Sequence, residues 1–527
     1  MFNYVYVFFR GFRCKVSLLF FVCFLMRFCF TGKYLDSYDS IDFALGLRDY
    51  DLSLLQPHFP GYPVYIFTSW LFFKLFHNDT LALIIPSVLF GSLTVFPLYF
   101  LARRLFSERI AILTCIFYLI NPLCWLQAER PMSDAMGLFF IMLSTYFLYD
   151  VCHAMCTSPL IVRFRSIPSH VLSSSKLSFH IKRPRESDMN LSRNFNRLFW
   201  GSLVLGFGLG IRLSYFPFVI SWVGIVFFMA IQKIPLKLRG VTYGLLGFII
   251  GICLWLLPQI GYVGWHHFWQ NCFSFLCGHF IDWGGSIVTF GGFERVTYLM
   301  KSIWVHGLGG WWFDTSFYRI VPSFMILTAL LYAFKWYHFL WHQWWFLGLQ
   351  IIPYILWVSF GQNVANPRHM MPIIPPILML ISYGLYKIYE KRKITVFCAR
   401  MFMFSFIAVL SLVSFLLVIQ YHSTIPAPLL VMQFIKQQFD INSARIYCGG
   451  EKRFFDYYEP LWDVRSIRDI TELNIDIQSS LWKPHDILVI HSLRDIRNFE
   501  IQHPPLMLFQ ENPYTNGGKE KLLLYKL

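Results

Sequence analysis

Five aspartates, Asp36, Asp39, Asp42, Asp49 and Asp51, crowd one short stretch that ends at His58 and the turn Pro60-Gly61-Tyr62-Pro63. The stretch directly follows an apolar run, which places these carboxylates where water meets lipid. A carboxylate there can accept a proton from an incoming hydroxyl while the membrane holds a lipid-borne reactant beside it. One or two aspartates outside a first span follow from topology alone. Five of them closed by a proline-stiffened histidine do not, and His58 could serve the same site as a cationic or metal-bound imidazole. A second polar stretch, "AERPMSD", presents Glu129, Arg130 and Asp134. Asp134 reads equally as the N-cap of the next helix, with Ser133 beside it, and as a site residue; the two roles are compatible. Arg212 interrupts "GFGLGIRLSYFPF", where a cation is costly unless it snorkels to an interface. Arg368, in "NPRHMMPIIPP", carries a planar fork that suits a pair of phosphate oxygens.

The elements that must hold these residues are membrane helices. Of 527 residues, 56% are hydrophobic, 20% aromatic and only 14% charged, too few charges to cover a soluble protein of this size. A formal charge of +16 suggests nucleic acid at first sight. The basic residues sit instead in short clusters between apolar runs, the pattern of the positive-inside rule, and that excludes nucleic acid as partner. The first segment follows Arg10, Arg13 and Lys15 and lacks a small-residue cleavage site, so it reads as a retained signal anchor. Spans are expected near 15–31, 81–102, 109–122, 135–151, 198–211, 215–231, 240–260, 318–335, up to 360, after 369, and 398–419. The piece near 64–77 is expected along the membrane surface.

This solution, all-α and polytopic with about eleven transmembrane helices, puts the loops 32–80 and 261–317 outside. The basic loop 152–197 falls inside, with eight Lys or Arg against two acids between Arg163 and Arg197. The Trp- and Phe-rich loop 261–317 suits helices lying at the lipid interface. From 421 onward twelve Lys or Arg balance thirteen Asp or Glu. Short apolar runs such as "DILVIHS" there predict a small α/β domain over 421–527, outside the membrane. "GFGLG" lies in a span with no strand before it, so it is no nucleotide fingerprint. Cys272, Cys277 and His279 fit no common zinc spacing and read as membrane packing.

The first outside loop, its place after span one and the Pro-Gly-Tyr-Pro turn resemble integral-membrane glycosyltransferases of the GT-C fold. The resemblance is to bacterial relatives of protein O-mannosyltransferases and to lipid A aminoarabinose transferase, and covers roughly residues 1–400 in topology, within a transmembrane domain expected over 1–420. In that family an Asp stands five residues before a small residue on the first outside helix. Asp39, followed by Ala44, matches, with Asp42 second. His58 fills the place of a Lys or His before the turn, Asp134 that of an acid at the start of the next helix. Arg368 matches a late Arg-Tyr-x-x-Pro element, with His369 in place of the aromatic. The resemblance implies transfer of a sugar from a polyprenyl-phosphate donor to a protein, lipid or glycan hydroxyl on the extracytoplasmic face of a bacterial inner membrane or its equivalent. Asp39 would be the base, and Arg212, Arg368, His369, Arg130 and His58 the phosphate contacts. A divalent metal at Glu129, Asp134 and His58 is a further expectation. The rival class, a transporter or flippase, predicts charged mid-membrane sites and often repeated halves; here the polar residues gather at one face and no repeat stands out.

Overall fold

The computed structural model describes residues 2–156, 185–231, 237–282, 284–335, 341–390, 396–467, 469–479, 484–492, 504–510 and 521–527. Among these, six helices are long and apolar enough to cross a membrane: Asp79–Leu105, Arg239–Val263, Phe317–Lys335, Gln343–Gly361, Pro367–Glu390 and the run Phe397–Gln438. Glu108–Leu119 and Pro122–Ala128 make a seventh if taken as one span bent by 59°. The bend has a local cause. Pro122 lacks the amide that would continue the first helix, and the Asn121 side chain accepts from Cys124 N to start the second.

Length and composition thus mark six or seven spans among the described residues, against about eleven expected. Helices also stand at the other expected spans, with Phe2–Cys29, Asp134–Cys156, Arg185–Leu209 and Pro217–Ile231 among them. Most of the basic loop, 157–184, lies outside the described residues, but the helix after it begins already at Arg185, so 185–197 is helical rather than loop. Outward-facing Phe21, Leu257, Phe324 and Phe404 are each more than half exposed, as lipid-facing side chains of a membrane helix should be. The segment 261–317 is largely helical, with Trp265–Cys277, a π-helical turn Gly278–Asp282, and Gly292–Lys301.

The acidic stretch folds as the helix Tyr38–Arg48. Ser37 caps it, its hydroxyl accepting from Ser40 N while the Ser40 hydroxyl accepts from Ser37 N. Asp39 occupies the first turn, where an anion complements the helix dipole. Ile41, Phe43, Ala44 and Leu47 form the buried face. That face belongs to the same apolar core as Val431, Ile446, Phe454 and Phe455 near the C-terminus. There, five strands make one sheet: β1 Ala444–Cys448, β2 Asp463–Ser466, β3 Asp486–Ser492, β4 Met507–Gln510 and β5 Lys521–Lys526. Their order is β2-β1-β3-β5-β4, with β1 parallel to β2 and β3, and β5 antiparallel to β3 and β4. The alternating apolar runs of the sequence therefore form a small mixed sheet, packed onto the helix that carries the acids.

Candidate active site

A cavity of about 1340 Å³ opens between the acidic helix, the Arg212 turn, the 261–317 segment and the Arg368 turn. Asp39, His58, Tyr62, Arg212, Arg368 and His369 are among its polar lining. Phe275, Phe280, Ile281, Val288, Phe290 and Trp357 are among its apolar lining. The chamber thus combines a charged cluster with a substantial aromatic and aliphatic wall.

The central contact is an ion pair between residues 329 apart in sequence: Arg368 Nη2 donates to Asp39 Oδ2 at 2.6 Å. Both side chains stay partly accessible, 12% for Arg368 and 23% for Asp39. Burial pushes the Asp39 carboxyl up, but the charges of Arg368, His58 and Arg212 outweigh it and hold the group well below the usual carboxylate range. Asp39 is therefore ionised at any physiological pH.

His58 is held on two sides and stacked on two more. Its Nδ1 lies 3.1 Å from Asp42 Oδ2 and its Nε2 3.0 Å from the Tyr62 hydroxyl. The Phe43 and Phe275 rings stack along its faces at 6.3 and 5.9 Å. Burial pushes this imidazole down, yet Asp42 and Asp39 more than offset it and raise its pKa, favouring the cation. The proline turn that carries His58 is itself pinned: Gln259 Nε2 donates to Pro60 O at 2.6 Å and the Tyr50 hydroxyl to Gly61 O at 3.0 Å. Gly61 has φ +86°, and a Cβ there would stand 2.1 Å from the Tyr50 hydroxyl oxygen. Only glycine fits that position.

Arg212 is 4% exposed, so it does not snorkel. Its Nη1 donates to Asp134 Oδ2 at 3.2 Å and to the Ser133 hydroxyl at 3.3 Å. Asp134, the first residue of its helix and fully buried, thus anchors the arginine while not itself lining the cavity. Three cavity-lining nitrogens, Arg368 Nε, Arg212 Nε and His369 Nδ1, have no hydrogen-bond partner among the described residues. Buried donors without partners are rare in a folded protein and mark where a ligand's acceptors belong.

Other expected site residues go elsewhere. Arg130 makes two bonds to Asp36, at 2.8 and 3.1 Å, and the Tyr421 hydroxyl donates to the same carboxylate at 3.0 Å. That buried triad ties the start of the acidic stretch to the helix Val396–Ser423, and Arg130 does not line the cavity. Glu129 is fully buried, also away from the cavity. Glu129, Asp134 and His58 do not gather: among the described residues no group of three His, Cys, Asp or Glu is placed to hold a metal ion. Among the described residues, these three do not make a metal donor set. Tyr62 and Asn366 line the cavity without a role expected from sequence, the place of Tyr62 in the proline turn being the available signal, and His279, expected to serve membrane packing, lines it too.

A family model described as dolichyl-phosphate-mannose-protein mannosyltransferase matches residues 57–163, the segment from the proline turn through the second polar stretch. The solved structure of ArnT from Cupriavidus metallidurans in the apo state aligns over 98% of both chains, with a TM-score of 0.54 and 11% identity. The same protein bound to undecaprenyl phosphate aligns over 98% of both, with a TM-score of 0.53 and 12% identity. The chain has the GT-C fold. At that identity the likeness speaks for architecture, and it extends beyond the membrane helices to the C-terminal sheet. No curated protein matches in sequence.

Proposed function

We propose that this protein is a glycosyltransferase that moves a sugar from a polyprenyl-phosphate donor to a hydroxyl acceptor on the non-cytoplasmic face of the membrane. The observation that carries the proposal is the Asp39–Arg368 pair in a chamber whose lining is also rich in aromatic and aliphatic side chains. The apolar lining suits the prenyl chain and the cations its phosphate. The ArnT relative with undecaprenyl phosphate bound supports a donor of this class.

Arg368 occupies the Asp39 carboxylate, which makes Asp39 a weak base while the pair is closed. A donor phosphate presents oxygens that compete for the same guanidinium, with Arg212 and the His58 cation beside it. Once Arg368 turns to the phosphate, Asp39 is free to take the acceptor's proton. The acceptor oxygen attacks the sugar's anomeric carbon, its O–H proton passes to Asp39, and the carbon–oxygen bond to phosphate breaks. Polyprenyl phosphate leaves with one more negative charge than it had as the diester, and the cations stabilise that charge as it develops. A single displacement inverts the anomeric centre. The segment from 421 onward would form a separate domain on the same side as the cavity.

The test is transfer from a synthetic polyprenyl-phosphate sugar by the purified chain in lipid nanodiscs, with Asp39→Asn as the variant. Release of polyprenyl phosphate should fall by about 10²- to 10⁴-fold with the helix content unchanged. Undiminished transfer by the variant removes Asp39 as base. Translocation of the intact donor without cleavage would identify a flippase instead.

A further inference from the structure

The cavity's charged cluster is not built by the membrane helices alone. Asp42 takes His58 on one carboxylate oxygen and Arg453 on the other, Arg453 Nε donating to Oδ1 at 2.8 Å. Arg453 lies 411 residues further along the chain, on the short helix Lys452–Tyr458 that follows β1. Its Nη2 donates to the carbonyls of Leu54 and Leu55, both at 2.8 Å. One guanidinium therefore fastens both the acidic helix and the loop leading to His58. That loop needs fastening: Leu55 stands at φ +57°, in the left-handed region that a branched side chain tolerates only under constraint. Beside it the Tyr38 hydroxyl, on the cavity wall, donates to Glu451 Oε1 at 3.1 Å, and Gly450 packs against the Tyr38 ring.

We propose that Arg453 is a positioning residue for the donor site, setting the place and charge state of His58 through Asp42. The assignment rests on the glycosyltransferase function proposed above. Its physics is a competition for one carboxylate. An imidazolium bonded to Asp42 is stabilised by that negative charge, and a guanidinium on the opposite oxygen cancels part of it. The other ionisable groups facing His58 are Asp39 on the acidic helix, Tyr62 on its own turn, Arg368, and His279 on the π-helical turn. With Arg453 removed those neighbours remain, and Asp42 acts on His58 undivided. The His58 pKa should then rise and its ring should lose its fixed height in the cavity. With Asp42 removed it should fall.

These opposite shifts make the experiment. The full chain in nanodiscs is treated with diethyl pyrocarbonate across pH 5–9, and carbethoxylation of His58, which tracks the neutral ring, is followed by mass spectrometry. Arg453→Gln should move the midpoint up by about half to one unit and Asp42→Asn should move it down by a similar amount. Undecaprenyl phosphate should bind Arg453→Gln about 3- to 10-fold more weakly. In transfer assays the donor KM should rise more than kcat falls, and Arg453→Lys should restore the midpoint in part, keeping the charge but not the fork. Midpoints that move the same way in both variants would mean mere loosening of the loop and would overturn the proposal. So would an unchanged His58 midpoint together with unchanged phosphate affinity in Arg453→Gln. The chemical labelling does not depend on catalysis. If Asp39→Asn retains full transfer while the opposite shifts are seen, the enzymatic reading falls and the Arg453–His58 link stands. If Asp39→Asn is inactive and the shifts are absent, the reverse holds.

Discussion

Asp39 and the donor phosphate compete for Arg368, so removing the carboxylate should improve binding of the very ligand whose reaction it serves. At an effective dielectric of about 20, unit charges some 4 Å apart attract by roughly 4 kcal/mol. The Arg368–Asp39 pair is about an eighth to a quarter exposed, and solvent and salt reduce the net worth of such a pair to about 1–2 kcal/mol. Asp39→Asn therefore leaves Arg368 available at a saving of that size, and undecaprenyl phosphate should bind about 5- to 30-fold tighter. The neutral amide keeps the shape of the side chain, so the cavity is preserved. Binding is measured by titrating the lipid phosphate into nanodisc-embedded protein and following quenching of Trp357, which lines the cavity. The effect should shrink as salt rises. Arg368→Gln should bind more weakly than wild type, and Asp39→Asn should give it no further gain, because the competition then has no prize. If Asp39→Asn binds lipid phosphate no tighter than wild type, the phosphate does not displace Asp39 from Arg368 and the sequence of events proposed here is wrong.

Three further predictions follow from neighbouring residues. Because the His58 pKa is raised, its charge is complete below about pH 6.5 and is lost as pH climbs through the higher folded value. Donor affinity should decline along that alkaline limb, His58→Gln should flatten it, and Asp39, held ionised by its cationic neighbours, should contribute no limb near neutrality. Arg212→Gln should strand the buried Asp134 and cost about 3–5 kcal/mol, seen as a large drop in melting temperature. The double variant with Asp134→Asn should recover the melt but not phosphate binding, which separates the structural role of the pair from its ligand role. Gly46→Ala, in mid-helix, would ordinarily stabilise by up to about 1 kcal/mol. Here its Cβ would meet Pro57 Cδ at 2.9 Å and the Gln56 backbone at 3.1 Å, so the variant should instead lose about 1–3 kcal/mol and weaken phosphate binding by displacing His58.

The sequence made the chemistry of the first outside loop visible because charge is scarce in this chain, and five carboxylates beside a span need a reason. It also marked Arg212 and Arg368 as cations out of place, and those two, with Asp39 and His58, do line one cavity. Residue type alone did not distinguish the aspartates from one another; only the family resemblance, through the small residue Ala44, singled out Asp39. Asp36 is spent on Arg130 and Tyr421, Asp42 is divided between His58 and Arg453, and Asp39 faces the cavity. Each of those fates is decided by a partner far away in the chain, which local pattern does not encode. Arg130 and Glu129 were attractive by type alone, but Arg130 is bonded to Asp36 and Glu129 is buried away from the cavity. The C-terminal strands were legible from their apolar runs, whereas their docking on the acidic helix was not, since Tyr38, Glu451 and Arg453 are ordinary polar residues until packed together. Helices stand where the apolar runs placed spans, as at Asp134–Cys156 and Lys237–Val263, whereas the 59° bend between Leu119 and Pro122 leaves no trace in hydropathy.

The central claim is that a lipid phosphate takes Arg368 from Asp39 in the cavity. Electron cryo-microscopy of the full chain in nanodiscs with undecaprenyl phosphate tests it most directly. The account predicts phosphate density within hydrogen-bond reach of Arg368 and Arg212, the Asp39–Arg368 contact opened beyond 2.6 Å, and prenyl density along Phe275, Phe280 and Trp357. Phosphate bound elsewhere, or bound beside an Asp39–Arg368 pair that stays closed, would contradict it.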